Sequence, residues 1–273
     1  MNNFSRFNKF SLILGFLFLY LPIILLIIFS FNESKLVTVW GGFSTKWYAA
    51  LLENQGIKDA AWVTIKVAFV SATVAAILGT LAGLILTRFG RFRGRTLFAG
   101  MIYAPMVMPE VIVGLSLLLM FVSLSIDRGI MTITLAHITF SMCYVAVVVQ
   151  SRISSFDDSI EEAALDLGCT PFKTFIYITL PVIFPAVLSG WLLAFTLSLD
   201  DLVIASFTSG PGSTTLPMKI YSQVRLGVTP EINAVSTILV GLVATGVLVA
   251  SYVNKRQQQT RLADEQAAAQ VDK

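Results

Sequence analysis

The sequence predicts an all-α membrane protein that crosses the bilayer six times. Hydrophobic residues make up 56% of the 273 residues and charged residues only 13%, about half the charged share of a soluble protein. Apolar runs long enough to cross roughly 30 Å of hydrocarbon recur along the chain without strand-like alternation. Backbone polar groups in lipid must bond internally, so these runs are predicted to be helices. A soluble enzyme, a nucleic-acid-binding protein and a disordered chain are excluded.

Six apolar runs of helical length define the predicted spans, and we expect residues 1–273 to form a single transmembrane domain. The first run exceeds the usual hydrophobic region of a signal peptide and is not followed by a small-residue cleavage site, so we expect it to stay attached. The predicted spans cover residues 10–31, 61–87, 96–125, 130–150, 182–207 and 232–253.

Lysine and arginine in the flanking segments predict the orientation, since cytoplasmic segments carry more of both. With a cytoplasmic amino terminus, twelve of the nineteen basic residues lie inside and six outside, and Lys66 lies just within the second span. The strongest signal is the connector 88–95, which contains four arginines. We therefore expect both termini to be cytoplasmic, in a multi-pass protein of the inner membrane.

The connector between the fourth and fifth spans, residues 151–181, is predicted to form two short helices. Ser155 and Asp158 match a capping-box-like start of the first helix, and Gly168 stands where a left-handed C-terminal cap is expected. In the first short helix, four apolar residues at positions i, i+3, i+4 and i+7 form one stripe. The stripe consists of Ile160, Ala163, Ala164 and Leu167.

The second short helix is predicted to begin at Thr170-Pro171, an N-cap followed by proline, and to end at Pro181. A connector of this kind either packs along the membrane surface or docks another protein. Residues 155–167 contain five acidic residues and no lysine or arginine, a composition that anionic lipid would repel. Docking into a protein groove is therefore favoured.

The run from Glu161 to Gly168, continued by Phe172, Phe175 and Leu180-Pro181, closely resembles the EAA motif of permease subunits of ATP-binding-cassette (ABC) importers. The resemblance implies the type I ABC importer permease fold and a connector that couples to a cytoplasmic ATPase. The motif's glutamate, alanine and glycine would fall on Glu162, Ala163 and Gly168. The coupling residues implied are Glu161, Glu162, Ala163, Ala164, Gly168 and Pro181.

Four further segments, 31–40, 108–114, 197–204 and 227–234, look like those of polyamine importer permeases, particularly the second permease subunits of putrescine systems. The resemblance implies a heterodimer with a second homologous permease, a cytoplasmic ATPase dimer, a periplasmic polyamine-binding protein and surrounding membrane lipid as partners. It implies no nucleic acid among the partners.

The chain has no phosphate-binding loop of the Gly-x-x-x-x-Gly-Lys-Ser/Thr type, since the nearest run, residues 168–174, lacks the glycine before lysine. We therefore expect ATP and Mg to be bound by the partner ATPase. No cofactor, catalytic residue or metal site is expected in this chain.

Three carboxylates lie in predicted spans, where each needs a partner, a cavity or an interface. Glu110 follows Pro109 near the middle of the third span, and Asp200 and Asp201 lie in the outer part of the fifth. Adjacent helical residues point about 100° apart, so one aspartate faces a pathway and the other a neighbouring helix or boundary; the sequence does not assign them.

The acids either line a cation path, where rings such as Trp191, Tyr103 and Tyr144 could add cation–π attraction, or pair structurally with a partner subunit.

Two other functions compete with an importer permease. A self-contained ion-coupled carrier or channel could also use Glu110 and Asp200, but it leaves the structured connector unexplained. An intramembrane serine protease could use Ser116 with His137, the sole histidine, but no oxyanion-hole signature supports that chemistry.

Overall fold

The computed structural model describes residues 5–36, 39–226 and 229–246, together with 248 and 252. The described residues form helices, and within them the β structure is limited to an isolated antiparallel bridge between Asn32 and Phe43. Four helices are long and apolar enough to cross a membrane, and there are five if a bent pair of helices is counted as one span. An all-α polytopic membrane protein is therefore confirmed.

The helices follow one another with short connections. They are α1 Arg6–Ser30, α2 Lys46–Glu53, α3 Gln55–Arg88, α4 Arg95–Val107, α5 Glu110–Ser123, α6 Ile130–Ser154, α7 Ser159–Asp166, α8 Pro171–Thr174, α9 Leu180–Asp200, α10 Val203–Thr208, α11 Leu216–Leu226 and α12 Pro230–Gly246. A π-helical segment, Phe175–Thr179, joins α8 to α9.

The third predicted span is not one straight helix. It consists of α4 and α5, which meet at an angle of 115°. Met108 between them is extended, with ψ 141°, and Pro109 is the N-cap of α5. A residue before proline avoids the helical region and proline cannot donate an N–H, so the helix ends and restarts there. The bend is much sharper than the kink that a proline usually produces within a continuous helix.

The fifth predicted span differs at both ends. The helix is continuous from Pro171 to Asp200, so Pro181 does not end the second short helix as predicted. Pro181 follows the π-helical segment Phe175–Thr179, where the backbone departs from regular α-helical hydrogen bonding, and this accommodates a residue without an N–H. At the other end, α9 stops at Asp200 and α10 begins at Val203.

The sixth predicted span, residues 232–253, corresponds to the shorter apolar helix α12. Of this predicted span, residue 247, residues 249–251 and residue 253 lie outside the described residues. The basic residues of the carboxyl-terminal segment, which were counted in orienting the chain, also lie outside them.

The chain divides into two compact units, one of residues 56–222 and one of residues 1–55 and 223–273. In the first unit, α3, α6 and α9 pack through small residues that let the helices approach closely. Gly79 of α3 and Gly190 of α9 both lie against Val145 of α6. The core of this bundle consists of Ala72, Ala75, Ala76, Val145, Val149, Ile153, Ile183 and Ala194.

In the other unit, the buried side chain of Asn32 organises the loop after α1. Its Nδ2 donates to the carbonyl oxygen of Val39 at 2.8 Å, and its Oδ1 accepts from the N–H of Gly41 at 2.8 Å. Trp47 Nε1 donates to the carbonyl oxygen of Asn32 at 2.7 Å. These contacts satisfy the buried amide and carbonyl of Asn32 and tie the loop to itself and to α2.

Candidate functional site

The first candidate site is the connector between α6 and α9, and it begins differently from the prediction. Ser155 Oγ donates to the carbonyl oxygen of Arg152 at 2.8 Å, so Ser155 terminates α6 and does not cap α7. The start of α7 is organised by Asp157, whose Oδ1 accepts from the N–H of Ser159 at 3.0 Å. The N–H and hydroxyl of Ser159 hold the pKa of Asp157 below its ordinary value. The capping box predicted from Ser155 and Asp158 is therefore wrong.

The end of α7 confirms the predicted left-handed cap. Gly168 has φ +88°, a conformation that side-chain-bearing residues rarely adopt. Its N–H donates to the carbonyl oxygen of Leu165 at 2.9 Å, and the N–H of Cys169 donates to that of Ala164 at 3.0 Å. These two bonds form a Schellman motif, which turns the chain sharply into α8. Thr170 Oγ1 then accepts from the N–H of Lys173 at 3.4 Å and Pro171 opens α8, as predicted.

Five of the six predicted coupling residues lie on α7 or in its C-terminal turn, and Pro181 is an exposed residue of α9. Glu161 and Ala164 point into the subunit, with Ala164 only 5% exposed. The remainder of the helix and its cap are open to solvent. This exposed face of α7 comprises Ile160, Glu162, Ala163, Leu165, Leu167 and Gly168. Leu167 is 87% exposed, so the predicted apolar stripe is largely uncovered within this subunit.

Glu161 is held by residues from two other helical segments. Its Oε2 lies 3.1 Å from Nε of Arg88, the last residue of α3, and its Oε1 accepts a hydrogen bond of 2.6 Å from Thr179 Oγ1. Arg88 also pairs with Asp158, and its guanidinium carbon lies 5.8 Å from the centre of the Phe156 ring. Sequence reasoning used Arg88 only to orient the chain, because its partners are seventy or more positions away.

The second candidate site is the set of carboxylates in the membrane region, and the structure places them differently. Glu110 is the first residue of α5, at the sharp bend, and it is exposed. A carboxylate is favourable there because the first turn of a helix carries partial positive charge. Asp200 is the last residue of α9 and is also exposed.

Asp201, by contrast, faces inward and caps α10. Its Oδ2 accepts from the N–H of Ala205 at 2.7 Å, and its Oδ1 accepts from that of Ile204 at 3.3 Å. His137 Nε2 of α6 lies 3.1 Å from the same Oδ2, and the Asp201 side chain is 9% exposed. Asp201 is therefore bonded inside the subunit, and Asp200 is the exposed member of the pair.

The Asp201 contacts belong to a buried polar chain that sequence reasoning missed. Ser71 Oγ of α3 donates to Ser198 Oγ of α9 at 3.1 Å, and Ser198 Oγ lies 2.6 Å from His137 Nδ1. Since a carboxylate only accepts, a neutral His137 that donates from Nε2 and accepts at Nδ1 satisfies every member. Ser198 lies in the last turn of α9, and Asp201 follows directly after the helix, where the backbone is extended.

This chain is unlike the serine protease weighed from the sequence. Both ring nitrogens of His137 are bonded to Ser198 and Asp201, so the proposed pairing with Ser116 is not formed. Ser198 is itself 4% exposed and also bonded to Ser71, which leaves its hydroxyl no access to a substrate. The arrangement instead joins α3, α6 and α9 and the start of α10.

Two of the three aromatic residues predicted near the path, Trp191 and Tyr103, have polar partners within the subunit. Trp191 Nε1 donates to Thr73 Oγ1 at 3.1 Å, and its ring stacks on Phe195 with centroids 5.2 Å apart. The Tyr103 hydroxyl donates to Gln150. Both rings are half-buried, so each retains some exposed surface.

Comparison with known proteins gives a consistent picture. Residues 75–261 match the family model described as binding-protein-dependent transport system inner membrane component. The chain is 58% identical over 263 residues to the putrescine transport system permease protein PotI of Escherichia coli K12, with 94% of each chain covered. It is 40% identical over 256 residues to the spermidine/putrescine transport system permease protein PotC of Haemophilus influenzae, covering 94% of this chain and 99% of that protein.

Solved structures of ABC transporters share the fold. A chain of a bacterial transporter involved in import of the acidic polysaccharide alginate superposes with a TM-score of 0.69 at 17% identity, covering 93% of this chain and 99% of that one. A chain of the MetNI methionine transporter superposes with a TM-score of 0.59 at 15% identity, covering 78% and 97%. The expected ABC importer permease fold is therefore confirmed.

Proposed function

We propose that this chain, which belongs to the family of inner membrane components of binding-protein-dependent transport systems, is a permease subunit of an ATP-driven importer that carries a polyamine, putrescine first among the candidates. The observation that carries the substrate is the 58% identity with a putrescine permease over 94% of both chains. Residues 1–273 would act as one permease domain of a multi-pass inner-membrane protein.

The exposed face of α7 is the proposed docking site for the ATPase. Its apolar residues, such as Leu167, lack cover within the subunit, and the helix is acidic, which disfavours anionic lipid as the covering partner. In the EAA motif, the contact residues would be Glu162, Ala163 and Gly168, all of which are exposed. The Schellman turn at Gly168 would fix the angle at which this face is presented.

Glu110 and Asp200 are the proposed carboxylates of the cation path. Both are exposed in the isolated subunit, at helix ends where the backbone changes direction. A polyamine leaving water would exchange part of its hydration for such carboxylates, and the half-buried faces of Trp191 and Tyr103 would add cation–π attraction. Asp201 would support the path only by shaping the end of α9.

The other subunits follow from this assignment. A second homologous permease would complete the pore as a heterodimer, a periplasmic polyamine-binding protein would deliver the substrate, and an ATPase dimer would bind ATP and Mg. This chain would then have no cofactor and no catalytic residue of its own. The large exposed apolar side chains of α1, such as Phe18 at 79% exposure, would face lipid or a partner helix.

The substrate can be tested with the complete complex in proteoliposomes. Because a loaded binding protein is expected to drive the permease toward the state that closes the ATPase, putrescine-loaded binding protein should stimulate ATP hydrolysis above the level with empty protein. Spermidine and an amino acid serve as comparison ligands in the same assay. Stimulation by the amino acid and not by either polyamine would contradict the proposed substrate.

A self-contained carrier or channel is the alternative function, and it predicts a different result. Such a protein would transport putrescine when this chain is reconstituted alone with an ion gradient. The proposed importer should show no uptake until the ATPase, the second permease, the binding protein and ATP are all supplied.

The orientation proposed from the arginine-rich connector places α7 and both termini in the cytoplasm. Cys169 follows α7 and is exposed, whereas Cys143 is buried in α6. A membrane-impermeant maleimide should therefore label the chain in urea-washed inside-out vesicles and not in intact spheroplasts. Cys169→Ser should abolish the labelling. Equal labelling in intact spheroplasts would reverse the proposed topology.

A further inference from the structure

Glu161 connects α7 to the ends of two membrane-spanning helices. One carboxylate oxygen lies 3.1 Å from Nε of Arg88 at the end of α3, and the other accepts a 2.6 Å hydrogen bond from Thr179, directly before α9. The side chains of Glu161 and Arg88 are 18% and 16% exposed, and Thr179 is 2% exposed. Both contacts are therefore mostly shielded from water, where the Glu161–Arg88 ion pair and the hydrogen bond that Thr179 donates to the Glu161 carboxylate are stronger than they would be at an open surface.

The neighbouring glutamate is placed very differently. Glu162 is exposed on α7, while Glu161, one residue earlier, points into the subunit. Adjacent side chains on a helix point about 100° apart, so a short helix can present one carboxylate to a partner and the other to its own subunit. Arg88 adds a second connection from α3 to the start of α7 through Asp158.

We propose that Glu161 is an internal relay residue, which transmits displacement of α7 to α3 through Arg88 and to α9 through Thr179. The inference rests on the proposed function, in which the ATPase moves α7. A rigid displacement of α7 would carry both spans because loss of the Arg88 contact removes the counter-charge of the shielded Glu161 carboxylate, and loss of the Thr179 contact leaves one of its oxygens without a donor. The α9 helix ends at Asp200, so the relay would link the ATPase to the proposed cation path.

The relay can be tested in the complete complex by measuring putrescine taken up per ATP hydrolysed. Glu161→Gln keeps the length of the side chain but removes one of the two carboxylate charges that hold Arg88, and Thr179→Val removes only the hydroxyl. Both should lower uptake per ATP by about fivefold or more, the lower range of coupling between sites, with the ATPase still co-purifying. A structural defect alone would lower uptake and hydrolysis together and leave their ratio unchanged.

Glu162→Gln is the matched control, since it removes the same charge from the exposed face and should weaken co-purification of the ATPase. Arg88→Glu should also uncouple, and combining it with Glu161→Arg should restore much of the ratio. If Glu161→Gln fails to accumulate, Thr179→Val, which keeps the ion pair, decides the question.

Wild-type uptake per ATP in Thr179→Val would overturn the relay. Loss of ATPase binding in Glu161→Gln equal to that in Glu162→Gln would also overturn it, because Glu161 would then be an ATPase contact. If the wild-type complex hydrolyses no ATP in response to any loaded binding protein, the proposed function itself fails, and the relay fails with it.

Discussion

Replacing Asp201 by alanine is expected to abolish accumulation of the folded chain in the membrane. The change leaves His137 Nε2 and the N–H groups of Ile204 and Ala205 without their acceptor. An unsatisfied buried donor costs about 1–3 kcal/mol, so three of them threaten a protein whose total stability is only about 5–15 kcal/mol. The measurement is the yield of detergent-extracted chain that elutes as a single species.

Asp200→Asn is the matched control for that variant, because it alters the adjacent aspartate, which is exposed. It should accumulate normally and impair uptake. If its carboxylate contacts the substrate amine, the lost charged contact is worth about 1.5–3 kcal/mol, which corresponds to a tenfold or larger loss of transport. Glu110→Gln, which alters the other exposed acid, should behave in the same way.

Yield and uptake, measured together, distinguish a carboxylate of the cation path from a structural carboxylate. Normal yield with poor uptake identifies a path carboxylate, and poor yield identifies a structural carboxylate. Normal yield of Asp201→Ala would contradict the buried polar chain as the fixed end of α9. Wild-type uptake in both Asp200→Asn and Glu110→Gln would remove them from the cation path while leaving the family assignment intact.

The contrast between Asp200 and Asp201 illustrates what the sequence could and could not predict. The sequence predicted that the two side chains diverge as neighbours on one helix, but α9 ends at Asp200, and the inward position of Asp201 depends on His137, which is more than sixty residues earlier. The spacing of Ser198 and Asp201 was visible in the sequence, while their meeting with His137 required the packing of α6 on α9. Long-range partners of this kind leave no local pattern.

Local signals were reliable where one residue determines the backbone. Gly168 predicted the left-handed cap of α7 because few other residues adopt φ +88°. Signals that depend on context were less reliable. Pro109 ended one helix and started another at 115°, whereas Pro181 is accommodated in the first turn of α9. Proline removes a donor in both places, and the surrounding backbone determines whether the helix continues.

The close packing of α3 against α6 provides a second test of stability, with an expected effect comparable to that of Asp201→Ala. Gly79 of α3 lies so near α6 that an added Cβ would stand 2.7 Å from Val145 Cβ and 2.8 Å from the carbonyl oxygen of Met142. Neither atom can rotate away, since one is fixed to the backbone and the other belongs to it. Gly100 of α4 is also helical, and an added Cβ there would meet nothing within 4 Å.

The same substitution should therefore have opposite effects at these two glycines. Gly100→Ala should hold or raise the midpoint of thermal unfolding of the purified complex, because alanine favours a helix over glycine by about 1 kcal/mol. Gly79→Ala gains the same preference but forces α3 and α6 apart, and overpacking of this kind costs about 1–3 kcal/mol or more, so the midpoint should fall. Adding Val145→Ala should not rescue Gly79→Ala, because the Cβ of residue 145 and the carbonyl of Met142 both remain. An unchanged midpoint in Gly79→Ala, or full rescue by Val145→Ala, would mean that α3 and α6 do not pack at the separation described.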